Sequence, residues 1–299
     1  MHQSCEIMMS LMSSQIASCF YSNFLIPTSV FNLQSLLLAL ESRVQSSWRF
    51  FAENTCRGTG TASSKHGDND NKFFVSSIMK VLVQNLQKRN GLASSLDVTY
   101  TPDILLVQEI YLQGESLPFK ANNVSRMGYG TAIGVGSGCE LSPPLKLTHV
   151  QRVDSPYAEF GGLIHKKTTL ARVELPSKQS TGLVTVQLVS FHGYNGQPFQ
   201  NIEKLIAHID AVLKKIQESN SNNMPALFAG DFNSWSKEHI DAVTKRMESD
   251  GFQLVYSWPY PNRELPLDHA FVRGLALRNS QNYECSSDHR GALLEFDVL

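Results

Sequence analysis

The feature that most constrains this chain is a series of short apolar runs, each with a chemically active polar residue at one end. Lys80 to Asn85 reads KVLVQN, Asp103 to Glu109 reads DILLVQE, and Thr181 to His192 reads TGLVTVQLVSFH. Pro225 to Asn233 reads PALFAGDFN, Leu267 to Gly274 reads LDHAFVRG, and Gly291 to Val298 reads GALLEFDV. Runs this short and this rich in Val, Ile, Leu and Phe have the length and composition of buried strands. Between the third and fourth, Ile202, Leu205, Ile206, Ile209, Val212 and Leu213 recur at helical spacing over Asn201 to Ile216. Strands interspersed with helices predict an α/β or α+β fold in which helices cover sheets.

The ends of these runs carry the functional signal. They present Asn85, Glu109, His192, Asp231 with Asn233, Asp268, and Asp288 with His289. Any one such residue is ordinarily a turn former. Amides, carboxylates and imidazoles gathered at one sheet edge would instead make a metal-assisted hydrolytic site.

Composition excludes several alternatives. With 42% hydrophobic and 18% charged residues, the chain is neither disordered, collagenous nor coiled coil. Lys plus Arg is 26 against Asp plus Glu 27, so no global basic field and no strong basic stripe points to nucleic acid. The cysteines Cys5, Cys19, Cys56, Cys139 and Cys285 are scattered and form no CxxC pair. A disulfide framework or structural zinc site is therefore not expected, and a reducing, cytoplasmic location is. Residues 1 to 42 hold only two charges, Glu6 and Glu41. Asn23, Pro27, Asn32 and Gln34 interrupt the apolar stretch Cys19 to Leu40, so no transmembrane segment is predicted. An amphipathic helix is expected around Val30 to Val44, and the polar Thr59 to Lys72 reads as a linker. The expected organisation is an N-terminal extension over 1–72 and a catalytic domain over 73–299, in a monomer.

LLVQE, AGDFN and SSDHR, in this order after a strand-ending Asn, resemble the endonuclease/exonuclease/phosphatase (DNase I-like) superfamily. That group includes abasic-site DNA endonucleases, inositol-polyphosphate phosphatases and neutral sphingomyelinases. VLVQNLQK, FAGDFNSWS, LDHAFVRGL and SSDHRGALLEF are similar to a bacterial branch of it. The resemblance covers Lys80 to Leu299. It implies a two-sheet β-sandwich flanked by helices and Mg²⁺-dependent hydrolysis of a phosphoester, with Mn²⁺ as a substitute. By the same resemblance, Glu109 is the main metal carboxylate with Asn85 beside it. Asp231 orients or deprotonates the attacking water, and Asn233 binds a phosphate oxygen. His289 contacts the phosphoryl group, and Asp288 beside it binds metal or orients a histidine. His192, helped by Asn195, is a second phosphate-binding histidine. Asp268 orients a catalytic histidine, and Lys167 meets a phosphate. The chemistry is coherent: a cation and imidazolium groups neutralise developing charge while a carboxylate positions water.

Competing readings remain at several positions. Asn54 in FFAENT rivals Asn85, and residues 73 to 89 would then be helical. His165, His208 and His239 are expected at the surface and His269 in a structural role; Trp235 and Trp258 are candidates to stack on a base or ring, with Trp235, after GDFN, expected to pack beneath its loop. The leading function is phosphodiester hydrolysis by a nuclease or nucleotide-directed phosphodiesterase. A lipid or small-molecule phosphoesterase, sphingomyelinase-like or inositol-phosphate phosphatase-like, is the first alternative. An inactive scaffold of the same fold is the second.

Overall fold

A computed structural model describes residues 78–139, 145–159, 164–176, 182–195, 201–219 and 224–298. The expectations for Cys19 to Leu40, Val30 to Val44, Asn54 and the Thr59 to Lys72 linker lie outside the described residues. Among the described residues, no helix is long and apolar enough to cross a membrane.

The first sheet is built from β1 (Ile78–Asn85), β2 (Ile104–Tyr111), β3 (Ala121–Val124), β4 (Tyr129–Val135), β11 (Leu275–Tyr283) and β12 (Gly291–Val298). Its order is β11-β12-β1-β2-β4-β3. The second sheet is built from β5 (Leu147–Ala158), β6 (His165–Pro176), β7 (Leu183–His192), β8 (Ala226–Asp231), β9 (Gln253–Trp258) and β10 (Asp268–Arg273). Its order is β5-β6-β7-β8-β10-β9. The helices are α1 (Leu92–Tyr100), α2 (Ile202–Glu218) and α3 (Lys237–Glu248). Each sheet holds one parallel pair at its centre, β1 with β2 and β7 with β8, joined through α1 and α2 respectively. The run KVLVQN is therefore a strand, and the helical alternative for that segment is excluded over its described part.

Strand alternation divides the apolar residues into layers. Met79, Val81 and Val83 of the first sheet face Val186, Leu188, Leu227 and Ala229 of the second across a shared core. The alternate residues Leu82, Leu105 and Val107 pack under α1. Leu170, Val189, Phe228 and Phe271 pack under α2 and α3. The result is a four-layer sandwich of helix, sheet, sheet and helix. Phe191, Phe228, Phe232, Phe252 and Phe271 form one aromatic cluster on the outer face of the second sheet. Burying each such ring stabilises the fold by about 1.5–3 kcal/mol. Phe232 matters most for the site, because it anchors the chain between Asp231 and Asn233.

Candidate active site

The topology brings residues distant in sequence to one edge of the sandwich. β1, β2, β7 and β8 reach that edge at their C-terminal ends, delivering Asn85, Glu109, His192 and Asp231. β10 runs antiparallel to β8 and starts there, so Asp268 lies opposite Asp231 in register. β12 runs antiparallel to β1, and His289 directly precedes it. Asn85, His192, Asp231 and Asp268 each continue the inward alternation of their strand. The site thus opens where the core between the sheets meets solvent. Glu109 is the exception: strict alternation would send it outward with Leu105 and Val107. A β-bulge between Gln108 and Ile110, with Glu109 at φ +49°, turns it toward His192 instead.

Contacts then link both sheets. Asn85 Nδ2 donates to Asp231 Oδ2 at 3.1 Å. Asp231 Oδ2 lies 3.6 Å from His192 Nε2 and 3.8 Å from His289 Nε2. Asp231 Oδ1 accepts from the Asn233 backbone N–H at 2.8 Å. Asp268 Oδ2 meets His289 Nδ1 at 2.8 Å. Glu109 Oε1 lies 3.7 Å from His192 Nε2. The Tyr260 and His289 rings pack at right angles, with centroids 4.8 Å apart. Asp288 is exposed at the rim, beside Ser287.

The two histidines are in opposite charge states. Burial, reinforced by the Lys166 ammonium, holds His192 well below its ordinary pKa. Lys166 Nζ lies 2.7 Å from His192 Nε2, which therefore accepts, leaving the ring hydrogen on Nδ1. His192 is thus neutral, not the imidazolium expected. Burial alone would also lower His289, but the charges of Asp268 and Asp231, the Asp268 hydrogen bond and Asp288 push it up to about 10. Burial raises Asp268 to about 6, so at neutral pH the proton of this pair sits on His289 and Asp268 is ionised.

Several expected residues take different places. Lys167 pairs with Asp154 at 2.5 Å. Its neighbour Lys166 enters the site, 3.8 Å from Glu109 and 3.5 Å from Glu159. Adjacent side chains on a strand project to opposite sides, so only one of two consecutive lysines can do this. The Asn233 amide donates to Gly193 O at 3.0 Å, with Asp231 Oδ2 at 3.4 Å, and both its hydrogens face protein acceptors rather than the cleft. Asn195 accepts from Trp235 Nε1 at 3.0 Å, and its backbone N–H donates to Glu159. It touches the site through the Glu159–Lys166 contact. Trp235 is half-buried beneath the Arg263 guanidinium rather than fully packed, whereas Trp258 is fully buried and not placed to stack on a base or ring of a substrate. His208 and His239 are buried, contrary to expectation, and His165 is half-buried against Ser155 O. Lys166 and Glu159 were not anticipated from sequence. The KK pair in HKKTT was a partial signal for the first, and nothing marked the second.

The donor set suits a hard divalent cation. Glu109 offers a carboxylate that is 23% exposed at the cleft. Asn85 Oδ1 accepts from Gln87 N, and a carbonyl oxygen retains a second lone pair. Asp231, Asp268 and His289 also bring ligand atoms within 4.8 Å of one another, and Asp268 Oδ1 is buried without a partner. Carboxylate, amide and imidazole donors suit a divalent cation of hard or borderline character better than a soft-metal site.

A helix-flanked pair of six-stranded mixed sheets with carboxylates, amides and imidazoles converging at one edge defines the DNase I-like class. The chain belongs to the Endonuclease/Exonuclease/phosphatase family, whose sequence model matches residues 79–289. Members of that family hydrolyse phosphoester bonds and are generally dependent on a divalent metal. A UPF0294 protein of Vibrio campbellii is 28% identical over 239 residues, 74% of this chain and 78% of the relative. A UPF0294 protein of Vibrio vulnificus is 40% identical over 79 residues, 25% of this chain and 28% of the relative. Among solved structures, the endonuclease/exonuclease/phosphatase of Bacteroides vulgatus aligns with a TM-score of 0.53 at 14% identity, over 74% of this chain and 99% of that one. The human nocturnin catalytic domain aligns with a TM-score of 0.51 at 15% identity, over 75% and 94%. At these identities the structural likeness is one of fold.

Proposed function

We propose that this protein is a divalent-metal-dependent phosphodiesterase. The observation that carries the reading is the contact between catalytic-type side chains of both sheets, Asn85 with Asp231 and Asp268 with His289. Glu109, Asn85 and Asp288 would hold Mg²⁺ or Mn²⁺. The ion would neutralise charge on the phosphoryl oxygens. Asp231, with Oδ1 fixed by the Asn233 N–H and Oδ2 accepting from Asn85 between His192 and His289, would orient the attacking water. The His289 imidazolium donates from Nε2 to a phosphoryl oxygen, while Asp268 holds its Nδ1–H. Lys166 supplies a second positive charge, in the role expected of His192. Neutral His192 positions that ammonium through Nε2.

Charge balance favours a diester. Glu109, Glu159, Asp231, Asp268 and Asp288 carry five negative charges against four positive ones from Lys166, His289 and the divalent ion, so a dianionic monoester is repelled more strongly than a monoanionic diester. A nuclease or nucleotide-directed activity is the first choice, and a lipid or small-molecule diester is the alternative. The test is a panel of plasmid DNA, abasic-site duplex, single-stranded RNA, sphingomyelin and inositol phosphates, with Mg²⁺, Mn²⁺ or EDTA. Metal-dependent hydrolysis of a diester is the expected result. No turnover of any substrate with either metal refutes the proposal and leaves the inactive scaffold.

A further inference from the structure

His269 follows Asp268 but lies on the opposite face of β10, buried under the aromatic cluster against Phe232 and Phe271. Both ring nitrogens meet a serine. Nε2 is 2.7 Å from Ser234 Oγ, and Nδ1 is 2.7 Å from Ser257 Oγ. Ser234 Oγ also donates to Pro266 O at 3.1 Å. A hydroxyl has one hydrogen, so with that hydrogen on Pro266 the Ser234 oxygen must accept from His269. Nε2 therefore carries the ring hydrogen, and Nδ1 accepts from Ser257. Burial keeps the ring neutral, pushing its pKa to about 3. The result is one directional chain: Ser257 to His269 to Ser234 to the Pro266 carbonyl.

This chain joins three segments, two of which carry a site residue: Ser234 after Asn233, and Pro266 to His269 around Asp268. Ser234 directly follows Asn233, which is held in a left-handed conformation at φ +52°. Pro266 and His269 flank Leu267 and Asp268. The backbone bond from Phe232 N to Leu267 O at 2.8 Å runs beside it. An apolar ring would fill the same space, but it would leave the two serine hydroxyls without their partner.

We propose that His269 is a positioning residue: a neutral Nε2–H imidazole whose hydrogen-bond chain fixes Asn233 and Asp268, and through them Asp231 and His289. The kinetic part rests on the phosphodiesterase reading, whereas the hydrogen-bond chain and its effect on His289 do not. The test compares His269→Phe with His208→Phe in the full chain. His208 is equally buried, packs against Phe191, and serves as the control for a buried imidazole lost from the core. Nitrogen–proton correlation spectra of the wild-type protein should assign Nε2–H to His269, and an Nδ1–H tautomer would overturn the chain. The His289 ring signals should move in His269→Phe and stay in place in His208→Phe, and unmoved signals would overturn the positioning role whether or not a substrate is known. On a diester that the wild type hydrolyses, His269→Phe should lower kcat roughly 10–100-fold with KM nearly unchanged, as a misplacement of about 1 Å would. His269→Gln, which can still donate to Ser234, should recover most of that loss. If His269→Phe fails to fold, Ser234→Ala and Ser257→Ala carry the test: His289 signals unmoved in both refute the proposal.

Discussion

Replacing Asp268 with asparagine should cost His289 the proton it needs, and the size of the effect follows from the geometry. Asp268 Oδ2 is 2.8 Å from His289 Nδ1, and both residues are buried. Asp231 is a full ångström farther away at 3.8 Å, and Asp288 is exposed. Raising an imidazole from 6.5 to about 10 represents on the order of 5 kcal/mol at 1.36 kcal/mol per pH unit. Burial opposes this rise, so the raising contributions together exceed it, and Asp268, acting through both charge and a hydrogen bond, supplies at least roughly 2–3 kcal/mol of them. The Asp268→Asn substitution should therefore lower the His289 titration by about two pH units. The measurement is a proton NMR titration of the His289 ring in EDTA.

The stability consequence has a definite sign. His289 has a folded pKa above its unfolded value. Its stabilising contribution is complete below about 6.5 and is lost as pH rises through about 10. Asp268 also has a raised folded pKa, so its own contribution is already lost between 3.8 and about 6. Between pH 6.5 and 10, urea melts of the wild type should show stability falling, and Asp268→Asn should reduce the total fall by roughly 2–3 kcal/mol. Turnover should fall about 100–1,000-fold, as for loss of a preorganised donor to a developing anion. A His289 midpoint within half a pH unit of wild type, or an unchanged slope, refutes the assignment of the proton to this pair.

Glu109→Gln keeps the side-chain shape while removing the charge, so calorimetric titration should show weaker Mg²⁺ binding and kinetics at least a roughly 100-fold lower turnover; unchanged values in both would remove Glu109 from the metal site. Lys166→Met should weaken kcat/KM about 10–150-fold, the range for losing a charge-assisted contact of roughly 1.5–3 kcal/mol. Lys167→Met, which breaks only the Asp154 pair, should stay within about two-fold; the reverse ranking would restore Lys167 as the substrate lysine. A chain starting at Lys72 should hydrolyse a soluble diester as well as the full chain does, and a folded but inert product would place residues 1–71 within the catalytic unit.

The central strands were legible because burial on both faces demands continuous apolar runs, and KVLVQN and PALFAGDFN became β1 and β8. The outer strand β5, LTHVQRVDSPYA, has few buried positions and carries no such run. His208 was readable and misread: it falls with Leu205, Ile209 and Val212 on the apolar stripe of α2, so its spacing already placed it inside. His239 likewise shares a face with Val243 and Met247 of α3. Lys166 was not readable, since choosing between two adjacent lysines requires the register of β6 against its neighbours. The same limit applies with more force at the site. Residue identity singled out the candidate site groups, but Glu109 and Asn233 reach their positions through left-handed backbone, at φ +49° and +52°. Such a conformation costs a non-glycine residue roughly 1–2 kcal/mol, and asparagine somewhat less. Nothing in the identity of residue 109 as a glutamate announces it. The conformation persists because β2 is paired on both sides, to β1 and β4, and because Lys88 N–H is bonded to the Glu109 carbonyl. The surrounding sheet thus imposes the bulge that turns Glu109 into the cleft. Substitutions that loosen β1 or β4 should therefore affect metal binding even though they touch no ligand.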